Sequence, residues 1–504
     1  MQPNPTNRPE RSAASPTGET APADGCDILA IGFGTTVAMW AVGYVGHMPL
    51  THVPPVVFVS LMLICMAIGG WFVGRYTARG LSGAGWVGML ASLINLLILG
   101  SLLRQPHSGQ LVPEAWLWLP GSFAVGVALA VFGFLLACVG RRQSKPREAN
   151  WTAGLAWVTC AAAMLLIAAG GLVTGFRAGM AVPDWPNSFG SNMFLYPLAM
   201  MTGGVFYEHA HRLLGTLVGL STLTLAIYVT WGGRQGGASI ASRRSFDTVG
   251  AVLPSPGSQR LANHSRDLDP PYGLSRPRKT IVRLIWPLGV CVLIQGVLGG
   301  LRVTDDNYVL AFIHGFFAHA ILGGLVAVAV MLSYHWQRVG SGSQTTADSD
   351  RVLTLALVVL ILLQTMLGTL VRQLDALLLT HVAVAVIVVL VGVGTGARAW
   401  GLHPTQPVLR RLGLAVMLVV LVQVQLGIVS VAFRTPPVST SPSAEALAAA
   451  GGKLPIAPLP ALITTIHQTT AAAFLAIAVG LALWTWRLRA KERRRVKEVS
   501  QNPF

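Results

Sequence analysis

Along most of the chain, apolar residues run in unbroken blocks separated by short polar breaks rich in Gly, Pro, Ser and Arg. The blocks are about 20 residues long, the length an α-helix needs to cross the hydrocarbon core of a bilayer. Twelve of them stand out, at roughly 28–46, 55–74, 83–103, 115–139, 151–174, 207–232, 281–301, 308–335, 352–371, 376–397, 412–432 and 461–486. The pattern predicts an all-α polytopic membrane protein.

Composition supports that reading. Charged residues make up 11% of the 504, where a soluble chain carries about 25%. The net charge of +17 would suit a nucleic-acid partner were it spread over a surface, but its placement excludes one. Most Lys and Arg fall in segments on one side of the predicted spans: Arg141, Arg142, Lys145 and Arg147, the loop from Arg234 to Arg283, and the tail "RLRAKERRRVK". Arg104, Arg177, Arg212, Arg302, Arg372, Arg434 and Lys453 fall on the other. That asymmetry is the positive-inside rule, and it predicts cytoplasmic N- and C-termini. The first 25 residues carry Arg8, Glu10 and Arg11 and lack an apolar run, so they read as a cytoplasmic tail rather than a transit or signal peptide. A bacterial plasma membrane is the expected location. Cys26, Cys65, Cys138, Cys160 and Cys291 lie in or beside apolar spans without CxxC spacing and read as small buried residues.

The chain then divides into a tail (1–27), a four-helix N-terminal membrane module of unassigned role (28–140), an eight-helix domain (141–487) and a basic tail (488–504). A Gly/Ser/Pro-rich loop at 233–280 is expected to be a flexible cytoplasmic insertion. His47, His52 and His107 read as loop residues.

The eight-helix domain repeats. "AAGGLVTGFRAG", "QGVLGGLRVTDD", "QTMLGTLVRQLD" and "QVQLGIVSVAFR" close alternate helices, each with an arginine beyond: Arg177, Arg302, Arg372 and Arg434. Each is followed by a helix with a histidine near its start: His211, His314, His381 and His467. Counted from Gly171, Gly300, Gly368 and Gly427, the histidines lie 40, 14, 13 and 40 residues on. Each is expected five or six residues into its helix, at about 8 Å below the membrane edge at 1.5 Å per residue. A lone membrane histidine often hydrogen-bonds a neighbour; four at one depth point to a cofactor. Zinc and copper sites usually add Cys, carboxylate or tighter spacing. Histidines on separate helices suit a flat macrocycle clamped on both faces, so four make two haem sites. The arginines are candidates for propionate contacts, with interfacial anchoring the plain alternative.

"VFYEHAHRLLG" breaks the fourfold likeness, because Glu208 lies three residues before His211 and on the same helical face. None of the other three histidines of the repeat has an acid within one turn. The asymmetry predicts that one haem is held for chemistry and the other for electron supply. The alternative is a helix N-terminal Glu complementing the macrodipole.

These stretches, with "GGLVTGFRAGMAVPDWPNSFG", "AFIHGFFAH", "LLLTHVAVAV" and "TTIHQTTAAAF", resemble the heme A synthase family over about 151–487. The resemblance implies an eight-helix bundle of two four-helix halves that oxidises the C8 methyl of heme O to a formyl group for terminal oxidases. By that resemblance His211 and His314 flank the substrate heme O, and His381 and His467 ligate a b-type haem that relays electrons. Glu208 would lie near the reacting methyl as the catalytic carboxylate. Implied partners are heme O, membrane lipid, an electron donor not named by the residues, and heme O synthase and oxidase assembly factors. Many bacterial members carry a cysteine pair in the loop 175–206; this chain has none and its "VPDWP" loop is similar to the mitochondrial and alphaproteobacterial type. His319 stands where the family usually has Gln and is a competing ligand, while His209, rotated from Glu208 and His211, reads as interfacial. Competing readings are a diheme b-type electron-transfer cytochrome, a haem transporter and an oxidase assembly factor.

Overall fold

The computed structural model describes residues 25–51, 53–105, 110–139, 149–232, 277–338, 346–433 and 458–489. The N-terminal tail, most of the 233–280 loop, Arg141 to Arg147, Arg434, Lys453, His52, His107 and the C-terminal tail lie outside these residues.

Each apolar block is a helix, and the described residues hold twelve long and apolar enough to cross a membrane. They are α1 (Cys26–His47), α2 (Pro55–Tyr76), α3 (Gly80–Leu102), α4 (Ala115–Cys138), α5 (Trp151–Gly175), α6 (Gly203–Ile227), α7 (Pro277–Thr304), α8 (Tyr308–Leu332), α9 (Asp348–Leu374), α10 (Leu378–Gly401), α11 (Pro407–Ala432) and α12 (Pro458–Arg489). A π-helical turn, Tyr228–Gly232, extends α6. This is an all-α multi-pass membrane protein. Its helices start and stop where local chemistry dictates. Pro55 and Pro407 open α2 and α11 at positions where the missing N–H costs nothing. Asn307 caps α8 by accepting from Val309 and Leu310 N–H. Asn150 caps α5 through Ala153 N–H and donates to the Leu332 carbonyl at 2.7 Å, which ties the start of α5 to the end of α8.

In the eight C-terminal helices, α5, α6, α7 and α8 pack in a ring, each against the next and α8 back against α5; α9 to α12 repeat the same ring. The two rings meet where α5 lies against α12 and α8 lies against both α9 and α12. Within lipid there is little hydrophobic force between helices, so close approach at small residues does the work. Gly396 of α10 and Gly413 of α11 face each other's carbonyls so closely that a Cβ on either would come within 2.7 Å. Gly70 of α2 and Gly133 of α4 meet backbone in the same way.

Helices α1 to α4 form a further group that touches the first ring, chiefly through α1 on α5. One continuous cluster of buried side chains runs from Phe33 and Trp40 of α1 through Leu155 and Leu217 to Leu357 and Leu475. Arg79 ties α3 to Asp27 of α1 at 2.6 Å. At the other end of the group, Ser101 of α3 donates to the Phe194 carbonyl, and Tyr44 of α1 packs on Phe206 with ring centres 5.3 Å apart.

Candidate functional site

Each of the four histidines rests on a glycine of the helix before it. A Cβ on Gly170 would lie 2.9 Å from His211 Cε1; on Gly299, 3.0 Å from His314; on Gly368, 3.1 Å from His381; on Gly427, 3.4 Å from His467. At Gly170, Gly299 and Gly368 a side chain would press on the ring, while at Gly427 a methyl would make only ordinary van der Waals contact. In the first half they are Gly170 and Gly299, one residue before the Gly171 and Gly300 expected from the motif. Gly171 instead faces Thr465, and Gly300 lies under the Trp185 indole. The expected five or six residues from the helix start holds only for His314. The histidines lie eight, six, three and nine residues after the first helical residues 203, 308, 378 and 458, because helix starts vary while each histidine meets its glycine.

A second repeated contact accompanies the first. Four residues before the cradling glycine, Gln295, Gln364 and Gln423 donate their side-chain amides to the backbone carbonyls of His314, His381 and His467, at 2.5, 2.9 and 3.1 Å. A glutamine reaching across pins the histidine's turn to the partner helix. The fourth position is Leu166, in the helix that faces His211. The Q-x-x-x-G spacing was present in three of the four motif stretches and is the signal that reading for histidines and arginines passed over.

His211 and His314 face each other with ring centres 6.3 Å apart and planes at 72°. His381 lies close enough to His467 for charge on one to act on the other. All four rings are part-buried, and Nδ1 of His211, His381 and His467 is buried with no hydrogen-bond partner. These features fit haem iron. An imidazole nitrogen bonds a first-row metal at about 2 Å and lies about 1 Å from its ring centre, so two rings on one iron have centres about 6 Å apart. The donor set is imidazole alone, without the third His, Cys or carboxylate of a compact metal site; no such cluster occurs among the described residues.

The halves differ around this shared frame. In the first, Glu208 is buried and both its oxygens are engaged: Oε2 accepts from Val182 N–H at 2.9 Å and Oε1 from Arg212 at 2.7 Å. Arg212 also donates to the carbonyls of Val182, Asp184 and Asn187. Together they staple down the loop between α5 and α6. That loop turns through a two-residue hairpin, Asn187–Ser188 against Ser191–Asn192, with Phe189 and Gly190 at positive φ. The Asp184 carboxylate accepts the N–H groups of both turn residues at 2.7 Å. Partial burial opposes its charge, but those two bonds and the nearby Arg212 prevail and hold its pKa below the usual carboxylate value. Trp185 packs on Gly300, and Arg302 donates to the Gly179 carbonyl at 3.1 Å, so the loop is also held to α7. The corresponding segment of the second half, between α9 and α10, is a short turn in which Asp375 and Leu377 have positive φ.

The four arginines are not equivalent. Arg302 and Arg372 follow their cradling glycines by three and four residues and point inward; Arg177 and Arg434 follow by seven. Arg302 lies within electrostatic range of Glu208, His211 and His314. Arg372 reaches Gly171, Thr464, Thr465 and Gln468. Arg177 is exposed in a left-handed turn, and Arg434 lies outside the described residues. His209 is not interfacial: it is fully buried beneath the loop, with Nδ1 3.1 Å from Ser188 Oγ. His319 is buried on the far side of α8 from Gln295, with Nδ1 bonded to the Gly315 carbonyl at 2.8 Å.

Fold and site thus define a multi-pass helical membrane protein with two facing histidine pairs in repeated four-helix rings. Within that class, residues 153–380 match the family model COX15-CtaA, cytochrome oxidase assembly protein, which places this stretch in that family and supports a role in cytochrome oxidase assembly. The match runs from α5 into the first turn of α10 and includes His211, His314 and Glu208; His381 and His467 follow it. Comparison with curated proteins and with solved structures gave no match.

Proposed function

We propose that the protein is a heme A synthase that oxidises the C8 methyl of heme O to a formyl group. The observation that carries this reading is the His211–His314 pair, spaced for one shared iron and covered, in this half, by a loop tied to a buried carboxylate. His211 and His314 would hold heme O as substrate; His381 and His467 would hold a resident b-type haem. When bound, that haem supplies one-electron transfer tuned by its axial ligands and their hydrogen bonds.

The chain's own residues have separable tasks in this scheme. The cradling glycines bring the helices close enough for both rings of a pair to reach one iron. Gln295, Gln364 and Gln423 fix the turns that carry the ligands. Glu208 and Arg212 hold the 178–192 loop over the first pair and exclude water from it. Glu208 also sets a fixed negative charge beside the first pair, suited to orienting the substrate or stabilising positive charge that develops during oxidation. The oxidation would pass through the alcohol and the hydrated aldehyde, which loses water; each of the two hydroxylations replaces a C–H with C–OH and takes its oxygen atom and a two-electron oxidant from outside the chain. Arg302, which lies within electrostatic range of both His211 and His314, is the arginine suited by position to a haem propionate. We further infer a bacterial plasma-membrane setting with cytoplasmic termini, an external electron donor, and contact with heme O synthase or oxidase assembly factors.

The alternative, a diheme b-type electron-transfer cytochrome, draws on one observation: both Glu208 oxygens already serve the loop, which asks nothing of chemistry. The test is pigment extraction from protein purified after co-expression with a heme O source. The synthase predicts heme B together with heme A or hydroxylated heme O. Heme B alone, in the presence of abundant heme O, would favour the cytochrome.

A further inference from the structure

Arg372 stands at the seam between the two rings and belongs to neither pair alone. It rises from α9 four residues after Gly368, the cradle of His381. One guanidinium nitrogen donates to the Gly171 carbonyl on α5 at 2.6 Å, the residue after the cradle of His211. The other donates to Gln468 Oε1 on α12, the residue after His467. Thr464 and Thr465 complete the surroundings at 3.5 Å. Among the described residues no carboxylate pairs with it, so every partner is neutral. A guanidinium enclosed among helices with only neutral partners exerts a field that nothing nearby cancels.

The chain of contacts closes on the other side. His319, five residues after His314 on α8, is 2% exposed. Its ring lies against the Gln468 backbone, and its Nε2 completes no hydrogen bond. Gln468 is therefore touched from one ring by His319 and from the other by Arg372. The four helices that meet here, α5, α8, α9 and α12, each carry a ligand or a cradle of one of the two pairs.

We propose that Arg372, Gln468 and His319 form a polar bridge across the seam that couples the two haem sites, with Arg372 as a cation shared by both and His319 as a positioning residue rather than an iron ligand. This rests on the haem reading above. A shared cation disfavours the oxidised, more positive state of each site, so it holds both midpoint potentials up.

The test is a spectroscopic redox titration of the haem-loaded full chain. Arg372→Leu should lower both midpoint potentials while leaving two haems per chain. Gln468→Glu, which keeps the packing but supplies a buried counter-charge, should lower both as well, and covers the case in which Arg372→Leu fails to fold. His319→Gln should leave haem content and the bis-imidazole spectrum unchanged. A shift confined to one haem in Gln468→Glu, or no shift, would overturn the bridge, and loss of a haem in His319→Gln would make His319 a ligand. Wild-type protein without haem would instead overturn the reading beneath it.

Discussion

The two four-helix rings make an internal controlled comparison. Both use the same ring order, the same imidazole-on-glycine contact and a pair of histidines close to one another. They part at the residues beside one ligand. His211 is preceded by Glu208 and followed by Arg212; the matching positions around His381, also on the second helix of its ring, are Leu378 and Val382. Glu208 and Arg212 tie down the α5–α6 loop, whereas apolar residues stand at both positions beside His381. What is shared is what holding a flat group between helices requires. The second ring's buried carboxylate, Asp350, pairs with Arg398 and His403 at the opposite ends of α9 and α10 from Gly368 and His381. What sets the first ring apart is a buried carboxylate within one turn of a paired histidine that braces a loop. The N-terminal group adds to that side only, through Tyr44 on Phe206 and Ser101 on Phe194.

The comparison breaks most sharply at Glu208. Removing one partner of a buried pair leaves the other charge unpaired, at a cost of about 3–5 kcal/mol. Glu208→Ala should loosen the loop, measured as faster amide exchange over 178–192, and abolish turnover while the second haem remains. Leu378→Ala, its counterpart, should leave both properties intact. Unchanged product formation in Glu208→Ala would remove the distinction between the rings.

A graded effect is expected at the cradles. A methyl on Gly170 would stand 2.9 Å from the His211 ring, and on Gly427 3.4 Å from that of His467. Gly170→Ala should therefore displace its ring and cost about 1–3 kcal/mol, the usual range for overpacking. Gly427→Ala should be nearly neutral, and thermal unfolding of the two variants would read the difference.

The smallest effect concerns the loop's own turn. The Asp184 pKa is depressed in the folded state, so its contribution is present above the unfolded carboxylate value and is lost as pH falls through the lowered one. Exchange of the Phe189 and Gly190 amides should rise in that acid window in the wild type. In Asp184→Asn it should be raised at neutral pH and lack that acid step.

The twelve helices and their order were legible because each must present about 20 apolar residues to lipid, a signal that tertiary context cannot easily override. The four histidines were legible because imidazole is rare and costly there. Contacts that depend on helical phase were not. Gly170 and Gly171 are both small, and only the rotation of α5 decides which one meets His211 and which meets Thr465. The four arginines looked alike by position, yet three or four residues past the glycine turns Arg302 and Arg372 inward, whereas Arg177, seven past, is exposed. His209 looked interfacial because the chain gives no sign that the α5–α6 loop folds back over it. The packing of α1 on α5 uses apolar side chains indistinguishable in sequence from lipid-facing ones.

The most direct test of the central claim assigns each histidine pair to its own haem. His314→Ala and His381→Ala would be expressed with a heme O source, and the haems retained by each purified variant identified by chromatography. His381→Ala should lose heme B and keep heme O, while His314→Ala should keep heme B and lose heme O and its oxidation products. Equal loss of both haems from either variant, or of heme B from His314→Ala alone, would contradict a substrate site in the first ring and a resident haem in the second.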